Sequence, residues 1–407
     1  MRLATGFGAL YALGATGAMA WLALANGADA AEMRGVTATE IRIGQTMPYS
    51  GPVSAFGALG KGEVGYFKML NERGGINGRK VNLISLDDGY APPKAVEQTR
   101  RLVESDEVAL IFSSIGTAQN TAIAKYLQSK NVPQLFLASG ASKFADIAQY
   151  PQATVGVQAP FRYEARLYAR YALSKNPNAK FAVISQNDDY GRDYLLGLKD
   201  VLGDKYDKVV TSATYEVSDP TIDSQIVKLK ASDADVFVIA ATPKFAAQAI
   251  RKSFEIGWRP MTFLSNTAVW ISTVMQPAGL EASTGIMSTA YVKDPDDPAW
   301  KDDAGVRQWR EFMTKYVPES DQHDTNYVNA YNSAMVLEAV LKACGDDLST
   351  ENILKQAYAI KDLELPMLLP GIKVNTSPTD HVPVDQMQFM RFNGKSWDRF
   401  GELQTGN

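Results

Sequence analysis

The stretch Ile41–Val96, IRIGQTMPYSGPVSAFGALGKGEVGYFKMLNERGGINGRKVNLISLDDGYAPPKAV, decides the fold. A β-type run, Ile41–Met47, meets a turn of Pro, Ser and Gly. A helical stretch, Val53–Arg73, follows, then a Gly-Gly-x-x-Gly turn and a second β-type run, Val81–Leu86, ending in Asp87-Asp88. This is a βαβ unit. Its first loop, Tyr49-Ser50-Gly51-Pro52, falls at the carboxyl end of a strand, where open α/β sheets bind ligands.

The alternation continues outward from that unit. Strands are predicted at Val108–Phe112, Gln134–Leu137, Phe181–Ser185, Val209–Tyr215, Val236–Ala240 and Met261–Leu264. Helices are predicted between them, at 92–105, 119–130, 164–174, 191–202, 224–231 and 244–256. Repeated β-α-β order argues for parallel sheets covered by helices. It occurs twice, from Ile41 to about Val157 and again from Phe181, after a Gln158-Ala159-Pro160 break. The expected class is α/β, with two doubly wound parallel-sheet lobes. Two more helical stretches, Pro298–Tyr316 and Tyr327–Cys344, precede a Pro-interrupted region and a last strand, Gln386–Phe392.

A chain of 407 residues suits two domains. A formal net charge of −4 leaves no basic footprint for nucleic acid. Residues 1–30 differ from the rest: Arg2, then an uncharged apolar run to Asp29, then the small-x-small site Ala28-Asp29-Ala30. That pattern predicts a signal peptide cleaved near Ala30, rather than a retained membrane anchor. The one cysteine, Cys344, has no partner for an internal disulfide and is expected to pack at a helix end.

No catalytic constellation emerges. The two histidines, His323 and His381, lack metal-ligand spacing and sit among polar neighbours, so both are expected at the surface. There is no G-x-S-x-G elbow. Gly60-Lys61-Gly62-Glu63-Val64-Gly65 fits G-x-G-x-x-G on paper, and Asp87-Asp88 lies about 20 residues on, as a dinucleotide site would want. The context is wrong: the first glycine comes well after the strand, inside the helical run. Small residues there more often permit close helix packing. The chain reads as no enzyme, and no cofactor or metal is expected.

Binding features are more specific. The strand ending at Phe112 runs into Ser113-Ser114-Ile115-Gly116-Thr117, and the next into Ala138-Ser139-Gly140-Ala141-Ser142. Hydroxyls beside the free N–H groups of a helix start can hold an anion such as a carboxylate. Helix capping accounts for the same residues. Aromatic residues recur in the loops at strand ends: Tyr49, Phe56, Tyr90, Tyr163, Tyr190 and Trp270. Apolar walls with a few placed polar groups describe a small-molecule pocket.

The words SGP at Ser50–Pro52, NERGGINGRKV at Asn71–Val81 and DDGYAPPKAV at Asp87–Val96, with Asp188–Gly191 and Phe245–Arg251, resemble the branched-chain-amino-acid-type periplasmic solute-binding proteins of ABC importers. These are type I periplasmic binding proteins similar to the Leu/Ile/Val-binding protein. The resemblance spans nearly all of the chain after residue 30. It implies two lobes joined by a three-segment hinge, with crossovers near Gln158, near Thr289 and around Asn375. One lobe is then 31–158 plus 289–375, and the other 159–288 plus 376–407. It also implies hinge closure around a ligand, a periplasmic location, a membrane permease and ATPase as partners, and a monomer.

Carried over residue by residue, the family's carboxylate-holding loops match Thr117, Gly140 and Ser142, with Ile115 and Gly116 offering backbone groups. Tyr190 matches the tyrosine that closes from the second lobe, and Phe56 the side-chain pocket. Tyr49, Tyr90 and Trp270 complete the expected ligand set. Two departures stand out. The family's frequent disulfide is missing, its positions falling near Tyr90 and Ser114. The loop that holds an acid for the ligand ammonium in amino-acid binders reads Ser265-Asn266-Thr267-Ala268-Val269-Trp270 here, with no acid. An unpaired buried ammonium costs several kcal/mol. The expected ligand is therefore a small carboxylate with an apolar or aromatic body, unless Asp188 or Asp189 supplies the missing charge. A branched-chain or other amino acid is the alternative within the family. A ligand-sensing receptor or regulator of the same fold is the alternative of another class.

Overall fold

The computed structural model describes residues 33–406. The predicted signal peptide and its cleavage near Ala30 lie outside the described residues.

Two sheets organise the chain. The first has strands β1 (Glu40–Met47), β2 (Lys80–Asp87), β3 (Ile111–Phe112) and β4 (Gln134–Leu135) in the order β2-β1-β3-β4, all parallel. The second has β5 (Phe181–Gln186), β6 (Val210–Tyr215), β7 (Val236–Ala240), β8 (Met261–Leu264), β9 (Met287–Ala290), β10 (Gln386–Phe392) and β11 (Trp397–Thr405). Its order is β11-β10-β9-β8-β7-β5-β6. The pattern β6-β5-β7-β8 repeats β2-β1-β3-β4, so each half has one topological switch point. Strands β5 to β9 pair in parallel, and β10 and β11 are added antiparallel. The α/β, two-lobed, doubly wound class read from the alternation is the fold observed. Both sheets lie within one compact unit.

The helices between strands are α1 (Gly57–Glu72), α2 (Pro92–Glu104), α3 (Thr117–Ser129), α4 (Phe161–Lys175), α5 (Asp189–Leu202), α6 (Asp223–Lys230) and α7 (Pro243–Glu255). Then come α8 (Ala304–Tyr316), α9 (Asn326–Ala343) and α10 (Thr350–Ala357). Alternate residues of a strand enter opposite cores, because successive side chains point to opposite faces. On β5, Phe181 and Val183 join the core that includes α4 and α5, while Ala182 and Ile184 join the one that includes α6 and α7. Strands covered on both faces need continuous apolar runs, which is why VFVIA at β7 has no polar position.

The chain passes between the sheets three times: from β4 to β5, from β9 to α8 and α9, which pack on α1 of the first half, and finally to β10. The last two glycines of the misplaced G-x-G-x-x-G line that contact, while Gly60 packs against Tyr49 and Gln45. A Cβ on Gly62 would lie 2.6 Å from the Ala330 Cβ on α9, and one on Gly65 would lie 2.7 Å from Val317 Cγ2.

Two expectations are corrected. Strands β3 and β4 are shorter than predicted: β3 begins only at Ile111 and ends at Phe112 as predicted, and β4 stops at Leu135 because Phe136 takes a left-handed φ of 49°, as Ser113 does just after β3. A bridge between Ile115 and Ala138 resumes the pairing beyond them. His323 is exposed beside Asp296, but His381 is buried. Its ring stacks on Tyr358 at a centroid distance of 3.8 Å, its Nδ1 meets the Ala153 carbonyl, and burial lowers its proton affinity. The polar neighbour Asp380 misled the sequence reading; the flanking Val382 and Val384 are buried with it. Cys344 is buried and unbonded, its thiol pushed up to about 12 by burial.

Candidate ligand-binding site

A cavity lies between the carboxyl ends of the two sheets, with about 80 Å³ of room for the centres of water-sized spheres. That room suits a small molecule of a few waters' extent. Its walls come from loops after β1 (Phe56), β2 (Tyr90), β3 (Ile115–Thr117) and β4 (Ala138, Ser139), and from those after β5, β7 and β8. Loops at the carboxyl ends of both sheets thus face one cavity, where open α/β sheets bind ligands.

Aromatic rings build the walls. Phe56 of the first half meets Trp270 of the second edge-on at 5.2 Å between ring centroids, and within the second half Tyr190 meets Phe161 at 4.7 Å. Tyr90 has a left-handed φ of 61°, rare for a bulky residue. Its N–H donates to Asp88 Oδ1 at 2.8 Å, and its carbonyl accepts from Gln119 Nε2 at 2.7 Å. This strained backbone carries the ring over Gly116, where a Cβ would come within 2.9 Å of Tyr90 Cε2. Gly116 itself has φ of 102°, so only glycine fits on both counts. The Tyr90 ring packs in one apolar cluster with Trp270 and Val217 of the other half; burial, and after it the Asp188 carboxylate, raise the pKa of its hydroxyl.

The hydroxyl loops meet as Thr117 Oγ1 and Ser139 Oγ, 2.8 Å apart at the start of α3. The first N–H groups of an α-helix have no partner within it, so Thr117 brings a hydroxyl and helix-start donors together. The backbone N–H groups of Ile115 and Gly116 are otherwise engaged, by the carbonyls of Thr46 and Ala138.

Of the predicted ligand residues, Phe56, Tyr90, Ile115, Gly116, Thr117, Tyr190 and Trp270 line the cavity; Tyr49, Gly140 and Ser142 do not. The Tyr49 hydroxyl bonds Ser85 Oγ at 2.6 Å and is pushed up to about 12, chiefly by burial. Gly140 packs under the chain crossing, where a Cβ would stand 2.8 Å from the Ala159 carbonyl oxygen. Ser142 donates both its N–H (2.6 Å) and its hydroxyl (2.7 Å) to the Asp193 carboxylate. The loop after β4 turns into the cavity two residues earlier than expected, at Ala138-Ser139.

Sequence reasoning missed the α9 wall, where Asn326, Asn329 and Ser333 face the cavity, together with Asn266, Thr242 and Tyr291. Spacing of three and four residues puts Asn326, Asn329 and Ser333 on one helical face. Three polar residues at that spacing in a largely apolar helix were the available signal.

None of the described residues lining the cavity is charged. Asp188 Oδ1 caps α5 by accepting from the Gly191 N–H, and Oδ2 accepts from Gln186 Nε2. Asp189 pairs with Lys143 and Arg192. Glu164 is buried beyond the cavity wall, accepting from Thr289, Tyr168, Tyr194 and the Asn266 N–H. Burial pushes its carboxyl up to about 7 despite those donors. Among the described residues no cluster of His, Cys, Asp or Glu could hold a metal, and no helix is long and apolar enough to cross a membrane.

Residues 40–396 match the family described as periplasmic binding protein, and the chain belongs to that family. A curated relative from Brucella abortus, "Leu/Ile/Val-binding protein homolog 7", is 24% identical over 80% of this chain and 82% of its own. A branched-chain amino acid ABC transporter protein from Thermus thermophilus, solved with bound valine, superposes with a TM-score of 0.79 at 15% identity, over 91% of this chain and 97% of that one. A fatty acid ABC transporter substrate-binding protein from Thermomonospora curvata gives 0.75 at 18% identity, over 91% and 94%. The protein is thus a periplasmic binding protein, of a family whose members bind solutes rather than catalyse.

Proposed function

We propose that this protein carries a small organic acid with an apolar or aromatic body, bound without an ammonium partner. The observation that carries the reading is the uncharged cavity wall. Thr117 and Ser139, with the helix-start N–H groups of α3, supply neutral donors suited to a carboxylate. Phe56, Tyr90, Tyr190 and Trp270 supply the walls for the ligand body, while Ile115 and Gly116 act by shape. Tyr49, Gly140 and Ser142 support the site from outside it, and Ser139 takes the place expected of Ser142.

In this reading the mature chain begins near Ala30 and acts as a monomer. It divides into 31–158 plus 289–375 and 159–288 plus 376–407, and it closes by rotation at the three crossings. An amino-acid ligand is the second reading, favoured by the relative's name and by the valine in the Thermus protein. Calorimetry of the purified protein against benzoate and leucine separates the two. Binding of benzoate and not of leucine is expected; tight binding of leucine with none of benzoate overturns the ammonium-free reading.

A further inference from the structure

The cavity has a second polar wall that a simple apolar acid leaves unanswered. On α9, Asn326, Asn329 and Ser333 share the face that lines the cavity, and Asn266 joins them from the loop after β8. Asn266 Nδ2 is buried with no hydrogen-bond partner, and Asn326 Nδ2 is buried with no hydrogen bond of good geometry, the Asp324 carboxyl being beside it. Asn329 accepts one hydrogen bond, from the Tyr291 hydroxyl at 3.2 Å. Buried carboxamides left unpaired are destabilising, by about 1–3 kcal/mol each, and native structures leave few of them. Three polar side chains of α9 at a spacing of three and four residues, with the unpaired Asn266 carboxamide beside them in the cavity wall, point to a ligand.

We infer that the α9 stripe is a specificity subsite, and that the ligand carries an uncharged hydrogen-bonding group, a hydroxyl or a carbonyl, in addition to its carboxylate. The inference rests on the organic-acid reading above. Carboxamides and hydroxyls both donate and accept, so they match a neutral group of either polarity. A charged second group would find no counter-ion on the wall. A site built to pair a polar group rejects the analogue that lacks it, because its own donors and acceptors are then left unpaired.

The test compares benzoate, 3-hydroxybenzoate and 4-hydroxybenzoate by calorimetry, on the native protein and on Ser333→Ala and Asn329→Ala, each checked for folding by thermal melting. One hydroxybenzoate should bind at least about tenfold tighter than benzoate. Each variant should weaken that hydroxybenzoate about fivefold or more while changing benzoate by less than about twofold. If benzoate binds as tightly as both hydroxy acids, or if the variants weaken all three alike, the subsite is wrong and the organic-acid reading stands. If none of the three acids binds and leucine does, the organic-acid reading itself fails.

Discussion

Glu63 shows how a single residue can set a pH dependence far from any ligand. It is fully buried on α1, one carboxylate oxygen accepting from Gln45 Nε2 and the Ser113 hydroxyl lying beside the carboxyl. Burial pushes its carboxyl up to about 8. The folded chain therefore keeps a proton there that the unfolded chain releases near 4.5. A raised folded value means that this stabilisation is full below about pH 4.5 and is lost as pH rises towards 8. Glu63→Gln keeps the shape and cannot ionise, so it should match the native protein near pH 4.5 and exceed it at pH 8 by on the order of 4 kcal/mol. Thermal melts at both pH values check this; an equal native-to-variant difference at both would refute it. Nothing local marks Glu63 as buried, because a glutamate in an amphipathic helix normally faces water. The same limit applies to Ser142. Its hydroxyl was legible as a donor, but its acceptor, Asp193, is 51 residues away.

At the scale of elements, the long parallel strands and their helices were legible because period and turn chemistry are local signals. The β7 and β8 boundaries coincide with the runs VFVIA and MTFL. The end of β4 was not: Phe136 lies in an apolar run, and its left-handed backbone belongs to the loop that must turn into the cavity. Strands β9 and β11 also escaped notice. MSTA carries little β signal by itself and pairs with β10, about 100 residues later in the chain. The antiparallel addition is energetically substantial. Phe389 of β10 is buried against Phe263, Tyr171 and Phe400. Phe389→Ala should cost about 3–5 kcal/mol, read as a lowered denaturation midpoint with an unchanged slope. A loss below about 1 kcal/mol would mean that β10 and β11 are loosely held.

At the scale of the molecule, the two halves are clasped to each other. Ser142 of the first half holds Asp193 on α5, and Lys143 holds Asp189 beside it at 2.6 Å. A clasp that forms on closure stabilises the ligand-bound state without touching the ligand, and apparent affinity scales with the closed population. Asp193→Asn should weaken binding of whichever of benzoate or leucine the native protein takes by about tenfold, since hydrogen bonds to a charged group are worth about 1.5–3 kcal/mol. Unchanged affinity by calorimetry would show that the clasp persists in the open form.

The sequence by itself determined the α/β alternation, the two repeated halves, the family, the absence of an acid in the loop after β8, and most of the aromatic wall. Each of these is written in neighbouring residues, as periodicity, turn composition or a short word. Only the tertiary structure decided which hydroxyls face the cavity, that Tyr90 spans it, that His381 is buried and that α9 presents a polar stripe to it. Those facts depend on where distant segments meet. A side chain's partner across a cleft is set by the packing of whole sheets and helices, which no local pattern encodes.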